Sequence, residues 1–488
     1  MFERCLRVIF SAALFLCPIL LGSSCAVNPV SGQRQLMLLS EADEIKLGRQ
    51  TDAQVIGQYG IYDDAELTRY VSNFCQKLGT LSHRANLPYQ CKILDAPVVN
   101  AFAVPGGYVY FTRGILASLN SEAELAGVMG HEIGHIAARH SAQQYSKAQF
   151  AQLGLGLGMI FSDTFRSLAD VAQFGVGMLF MRFSRDNERQ ADDLGVEYST
   201  RAGYDATQMA HFFETLERMH PGSDRSGLPS WFSTHPNPVD RIGMVKQRAS
   251  QWQQRLGVSR LKINREQYLR KIDGLVFGED PREGFVENSV FYHPALKLQF
   301  PVPSNWILKN TRTLVQMTSE QKDAAILFAI SSALFPKQAA QEFVNKSKAV
   351  VTESSHSTLN GLPAYRLVSQ HRSPKGLILA LSYFIEKDKK VYVFHGMCPA
   401  KRFEVYEATF EGTMRGFRKL ADPSKLSVKP DRIRIRTTRT AGTLRQALRS
   451  LGVPVNKSEE LALLNGKRLD NHLPAQTLLK LVKKGRQE

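Results

Sequence analysis

Five consecutive residues, His131-Glu132-Ile133-Gly134-His135, have the types and spacing that metal chemistry needs. Residues four apart on a helix share a face, so both imidazoles can reach one metal ion. Glu132 stands beside them, where a carboxylate can take a proton from water that the metal acidifies. The bland alternative, a chance match on a polar helix face, is rare at this composition. Two histidines leave the centre incomplete, because a hydrolytic zinc site uses three protein donors and keeps one position open. Further along, Ser184 to Asp192 begins a second polar helix in which Glu188 and Asp192 are four apart. One carboxylate can bind metal while the other orients a histidine. On spacing alone the pair also fits a solvated acidic face. His140, five residues beyond His135, falls on a different helix face and reads as structural or surface. The longer metzincin motif is excluded, because Ala138 and Ser141 stand where it needs Gly and His.

Several elements must position these residues. Ser121 with Glu124 three residues later is a capping box, and the helix it opens should run to about Tyr145. Gly127, Gly130 and Gly134 cost helix propensity, which points to close backbone packing beside the site. Upstream, Asn28-Pro29-Val30-Ser31-Gly32 is a polar loop, and Ser40 with Asp43 begins a helix. Residues 64–81 form another, with Leu67, Val71, Phe74 and Leu78 at helical spacing. Strands are expected at 89–94 and 108–113, with a turn-forming stretch at 100–107 between them. A strand directly before a metal-binding helix suits an extended substrate, whose backbone can pair with an open edge. Residues 150–183 are Gly-rich and apolar but interrupted by Asp163, Arg166 and Asp170. They read as a mobile lid, a membrane-touching hairpin or buried core helices. A helix over 239–256 and an acidic, Pro/Gly-containing linker at 278–287 follow.

The 488 residues imply two to four domains, with the apolar and charged fractions of an ordinary globular protein. Residues 1–25 read as an export signal: Arg4 and Arg7, an apolar run over 8–21, then Leu20-Leu21-Gly22-Ser23-Ser24-Cys25. Small residues before a cysteine resemble a bacterial lipoprotein processing site, so lipid on Cys25 is the favoured tether and plain cleavage the alternative. Of six cysteines, Cys75 and Cys91 either pair in an oxidising compartment or stay as buried thiols, and Cys398 is left over. The net charge of +17 is uneven. From Lys425 onward there are fifteen Lys/Arg against five Asp/Glu, which accounts for ten of the seventeen. That tail suits an anionic partner or is a solvated face. Nucleic acid is disfavoured as a partner, since the tail lacks the aromatics for base stacking and export separates the chain from that pool.

Three motifs together, His131-Glu132-x-x-His135, Glu188-x-x-x-Asp192 and His235-Pro236-x-x-x-x-Arg241, resemble the HtpX/BepA-type zinc metallopeptidases, gluzincins related to CAAX prenyl proteases. The 100–107 stretch with Gly114 is similar to theirs, and residues 28–32 resemble the periplasmic lipoprotein branch. The resemblance spans residues 27–255. It implies one Zn2+ held by His131, His135 and Glu188, with Glu132 as general base and Asp192 behind the donors. It also implies His235 as a cap that keeps the enzyme latent, and Arg241 as a stabiliser of the oxyanion. Strands are expected at 296–303, 324–330 and 391–394 and helical stretches near 337–350 and 400–417, and with Phe300-Pro301 and Ser304-Asn305-Trp306 this pattern over residues 288–420 resembles a PsbP-like α/β sandwich. Residues 430–488 resemble a degenerate LysM module, which implies peptidoglycan contact; a basic accessory domain is the alternative.

The expected fold is α+β multidomain. A mostly helical zincin domain with a small sheet (26–277) is followed by an α/β sandwich and a small βααβ module. The expected function is a zinc endopeptidase of the bacterial periplasm, lipid-anchored to the outer membrane. Its substrates would be unfolded, misfolded or misassembled envelope proteins. The rivals are a chaperone-like or wall-tethered binding lipoprotein with a closed site, and a glycan hydrolase supported by the tail module alone.

Overall fold

The computed structural model of the chain describes residues 25–147, 182–219, 231–235, 240–373 and 376–485. The export signal up to residue 24 and the Gly-rich stretch up to residue 181 lie outside these. Among the described residues no helix is long and apolar enough to cross a membrane. The chain is α+β as expected. It divides into two units, one holding residues up to Leu275 together with Ile433–Val482, the other holding Val276–Arg432.

The first unit is built around the helix Glu122–Ala137, in which every residue is buried. A helix enclosed on all sides must be apolar or satisfied throughout, and its three glycines show how it is enclosed. A Cβ on Gly130 would stand 3.0 Å from the carbonyl oxygen of Gly195. One on Gly195 would meet the His131 nitrogen at 3.0 Å, and one on Gly134 the Ala191 carbonyl at 3.2 Å. The expected close packing is therefore real, and its partner is the helix Arg185–Arg201, which carries Glu188 and Asp192.

Both ends of the central helix differ from the sequence reading. At the start, Ser121 Oγ accepts from Glu124 N at 3.1 Å, but Glu124 Oε2 takes the amide of Asn120 instead of closing the box on Ser121. At the end, the helix stops at Ala137 rather than near Tyr145. Arg139 has φ +59°, and a new helical stretch begins at His140. The cause is tertiary. Buried Glu44 holds Arg139 Nε at 2.5 Å and Arg84 Nη1 at 2.7 Å, while Arg84 also donates to the Ile136 carbonyl. The loop at 28–32 joins this network, since Asn28 Nδ2 donates to Ala138 O. The last carbonyls of the helix are thus capped by distant side chains.

The small sheet has three strands, Gln90–Leu94, Ala101–Val104 and Tyr108–Thr112, with Tyr108–Thr112 in the middle. The strand expected to offer an open edge to substrate is therefore paired on both sides. Among the described residues the sheet edge beside the central helix is Ala101–Val104, in a stretch expected to be a turn. Only its end turns, where Gly106 and Gly107 take φ +82° and +98°. Cys75 and Cys91 form a disulfide that ties the helix Ala65–Gly79 to the first strand. Cys398 is free and buried.

The segment expected as a separate tail module packs into this unit. Its strands Arg432–Thr437 and Leu478–Lys483 pair around the helices Leu444–Ser450 and Ser458–Leu464. Lys480 is fully buried, and its Nζ donates to the carbonyls of Ala117 (2.7 Å), Leu119 (2.9 Å) and Ser118 (3.3 Å). These carbonyls end the short helix Arg113–Ser118, and Lys480 caps them as a hydrogen-bond donor. They directly precede Ser121, so Lys480 fixes the turn from which the central helix starts.

The second unit is a seven-stranded antiparallel sheet and a four-stranded one. The helix Pro336–Ser347 covers one face of the large sheet, and Phe403–Arg415 packs on the other with Phe291, Phe300 and Phe394. Its first strand, Phe285–Glu287, lies where the sequence reads as linker.

The glycine crossing yields a prediction. Gly130→Ala pushes a methyl group into the backbone of Gly195 and should lower stability by about 1–3 kcal/mol. Urea unfolding checks it; an unchanged midpoint would mean that the two helices can separate freely.

Candidate metal centre

The crossing places four donors at one point. His131 Nε2 and His135 Nε2 are 3.0 Å apart, and His235 Nδ1 lies 3.2 Å from His131 Nε2. Glu188 closes the group, with its oxygens 3.0 Å from His235 Nδ1, 3.5 Å from His135 Nε2 and 3.6 Å from His131 Nε2. One ligand atom from each of these four buried residues falls within 4.8 Å of every other. Donors about 2.0–2.2 Å from a shared zinc stand roughly 3.3–3.6 Å apart on the edges of a tetrahedron, so the spacing fits such an ion. The chemistry of the donors fits too. Nitrogen lone pairs 3.0 Å apart repel unless a proton or a cation stands between them, and burial holds the His135 imidazole well below its ordinary pKa, hence neutral and able to offer a lone pair to a cation.

Glu132 sits one residue from the first donor and is treated differently. Neither of its oxygens has a hydrogen-bond partner among the described residues, although both are buried. His235 Nε2 lies 3.7 Å from Glu132 Oε1. Burial raises the Glu132 carboxyl above its ordinary range, and the charges of His235 and His131 pull the other way. A buried carboxylate without partners is costly, so folding alone does not account for Glu132.

Around the donors lies a second layer. Asp192 Oδ1 is 2.9 Å from His131 Nδ1. Both Asp192 oxygens are held in the fork of Arg241, at 2.6 Å from Nε and 2.8 Å from Nη2. Burial would raise Asp192, but the Arg241 charge wins and keeps its carboxyl low. Arg241 also reaches Glu188 at 3.1 Å and lies over the Phe213 ring. Its Nη1 has no partner among the described residues. His235 is stacked on Trp231, ring centroids 4.2 Å apart, and burial that would discharge it is outweighed by Glu188 and Glu132.

All seven residues singled out in the sequence converge here. Three further ones were missed. Trp231 backs His235, and Phe183 lies 4.0 Å from the His135 ring centroid. His140, expected to be structural or on the surface, is buried and has its Nδ1 2.9 Å from His135 Nδ1. Burial pushes its imidazole down to about 4. The break at Arg139 turns it back over His135, and nothing in the local pattern signals that break.

A helix pair presenting two histidines, a glutamate and an unpartnered carboxylate, with His235 joining from a separate segment, defines a metal-site domain of the H-E-x-x-H kind. Residues 63–249 match the family model of Peptidase family M48. The beta-barrel assembly-enhancing protease of Escherichia coli is 29% identical over 222 residues, which cover 44% of this chain and 45% of that protein. The mitochondrial metalloendopeptidase OMA1 of Schizosaccharomyces pombe is 28% identical over 224 residues, 45% of this chain and 65% of that one. The chain matches under half the length of the first curated relatives. Among solved structures, cyanobacterial PsbP from Synechocystis aligns with 28% of this chain and 96% of its own, at 14% identity and a TM-score of 0.24.

The Asp192–Arg241 pair can be tested directly. Asp192→Leu leaves a buried guanidinium short of its main partner and should cost about 3–5 kcal/mol, with much of it recovered when Arg241→Met is added. A double-mutant cycle by urea unfolding reads the coupling; additive losses would show that the pair does not brace the site.

Proposed function

We propose that the chain is a zinc endopeptidase that cleaves misfolded or misassembled envelope proteins in the bacterial periplasm. The observation that carries this reading is the unpartnered Glu132 carboxylate beside four converging donors. In the proposal His131, His135 and Glu188 hold Zn2+. The ion, when bound, supplies a Lewis acid that polarises a carbonyl and acidifies water. Glu132 takes the proton of the attacking water and passes it to the leaving amine nitrogen. Asp192 fixes the His131 tautomer, and Arg241 keeps Nη1 as a donor for the developing oxyanion. The edge strand Ala101–Val104 takes the substrate backbone as an added strand.

His235 stands where the open position of a hydrolytic site belongs, so the enzyme rests in a latent state until that residue leaves. The relatives named as beta-barrel assembly-enhancing proteases support envelope proteins as substrates. Lipid on Cys25 would tether the chain to the outer membrane. Residues 430–488 would contact peptidoglycan, and residues 288–420 would position clients. The chaperone-like alternative keeps the same client set with a site that never opens.

Glu132→Gln should retain zinc and lose cleavage of an unfolded protein such as casein by at least about 100-fold, the range of a removed general base. Cleavage at the wild-type rate would sink the assignment. His235→Ala should bind zinc and cleave casein faster than wild type; a dead or unchanged variant overturns the latch.

A further inference from the structure

We propose that His140 and Gln190 are positioning residues for His135, forming a neutral hydrogen-bonded relay that selects the tautomer in which His135 can hold metal. The proposal rests on the reading above, that His135 Nε2 is a zinc donor. His135 Nε2 faces the other donors, 3.0 Å from His131 Nε2 and 3.5 Å from Glu188. To donate there, the imidazole must carry its proton on Nδ1. That nitrogen is 2.9 Å from His140 Nδ1, which then accepts, so His140 bears its proton on Nε2. His140 Nε2 is 3.0 Å from Gln190 Oε1, an oxygen that only accepts. Every donor meets an acceptor in this one direction. Reversing the first bond would put the His135 proton on Nε2 and aim it at His131, removing the donor from the centre.

One helix therefore orients both histidines. Arg185–Arg201 supplies Glu188 itself, reaches His131 through Asp192, and reaches His135 through Gln190 and His140. The two arms differ in charge. The Asp192 arm is anionic and makes His131 the stronger donor, whereas the His140 arm adds no charge. The Phe183 ring against His135 narrows the space for any other tilt of that imidazole.

The test uses the full chain with His140→Leu, His140→Asn and Gln190→Met. The readouts are zinc affinity by chelator competition and the visible absorption of the cobalt-loaded protein. Loss of an outer partner of a metal-binding histidine weakens the metal by about 10- to 100-fold, so His140→Leu should fall in that range and shift the cobalt bands. His140→Asn, whose Oδ1 can take the place of Nδ1, should recover most of the affinity. Gln190→Met should lose less than His140→Leu, in the same direction. Gln190 is half-buried, so this variant decides the matter if His140→Leu fails to fold. Wild-type affinity and an unchanged cobalt spectrum in His140→Leu overturn the relay while leaving the metal-centre reading intact. An equal loss in His140→Asn and His140→Leu overturns it in favour of packing. A wild-type chain that takes up no zinc overturns both.

Discussion

Everything in the first unit depends on two backbones touching. The helices Glu122–Ala137 and Arg185–Arg201 meet at Gly130 and Gly195 with no side chain between them. Helix pairs usually stand about 8–10 Å apart, set by the side chains at the contact. Glycine on both sides permits the short end of that range. Two imidazoles on one helix and a carboxylate on the other then meet without long, flexible stems. Short reach means rigid donors, and rigid donors keep a metal site selective. The helical stability given up at three glycines is recovered as precision at the centre.

The crossing creates a problem that the surrounding residues solve. It gathers Glu132, Glu188 and Asp192 in a space with almost no water, where unpaired carboxylates are expensive. Arg241 answers two of them, holding Asp192 in its fork and touching Glu188. Glu132 is left without an answer among the described residues. Selection for stability would not leave it so. The unpaired carboxylate is the part of the design that points away from folding and toward reaction.

Four of the converging residues were legible because their spacing is local. His131 and His135 share a face by helical geometry, as do Glu188 and Asp192, and the glycines announced a close neighbour. The distant pair His235 and Arg241 was reached through resemblance, not through periodicity. What stayed hidden depended on contacts between segments remote in sequence. The helix break that swings His140 inward is made by Arg139 pairing with Glu44, ninety-five positions away. The exchange of edge and central strand among residues 90–112 is decided by pairing order, which alternation alone does not fix. In the second unit, three strands anticipated at 296–303, 324–330 and 391–394 were found. The long strands Val350–Leu359, Leu362–Ser373 and Gly376–Lys387 were not anticipated. Their Ser, His and Arg content masks the alternation that marks a half-buried strand.

Lys480 has a consequence for the order in which the molecule is made. The carbonyls of residues 117–119 wait for a donor group that the ribosome adds more than 350 residues later. Until it arrives, the turn leading into the central helix lacks that donor, and the first unit of a nascent chain is left unfinished there. Completion of that turn is thereby tied to a residue more than 350 positions further along the chain. A truncated product would carry every donor residue and still lack the group that finishes the turn before them.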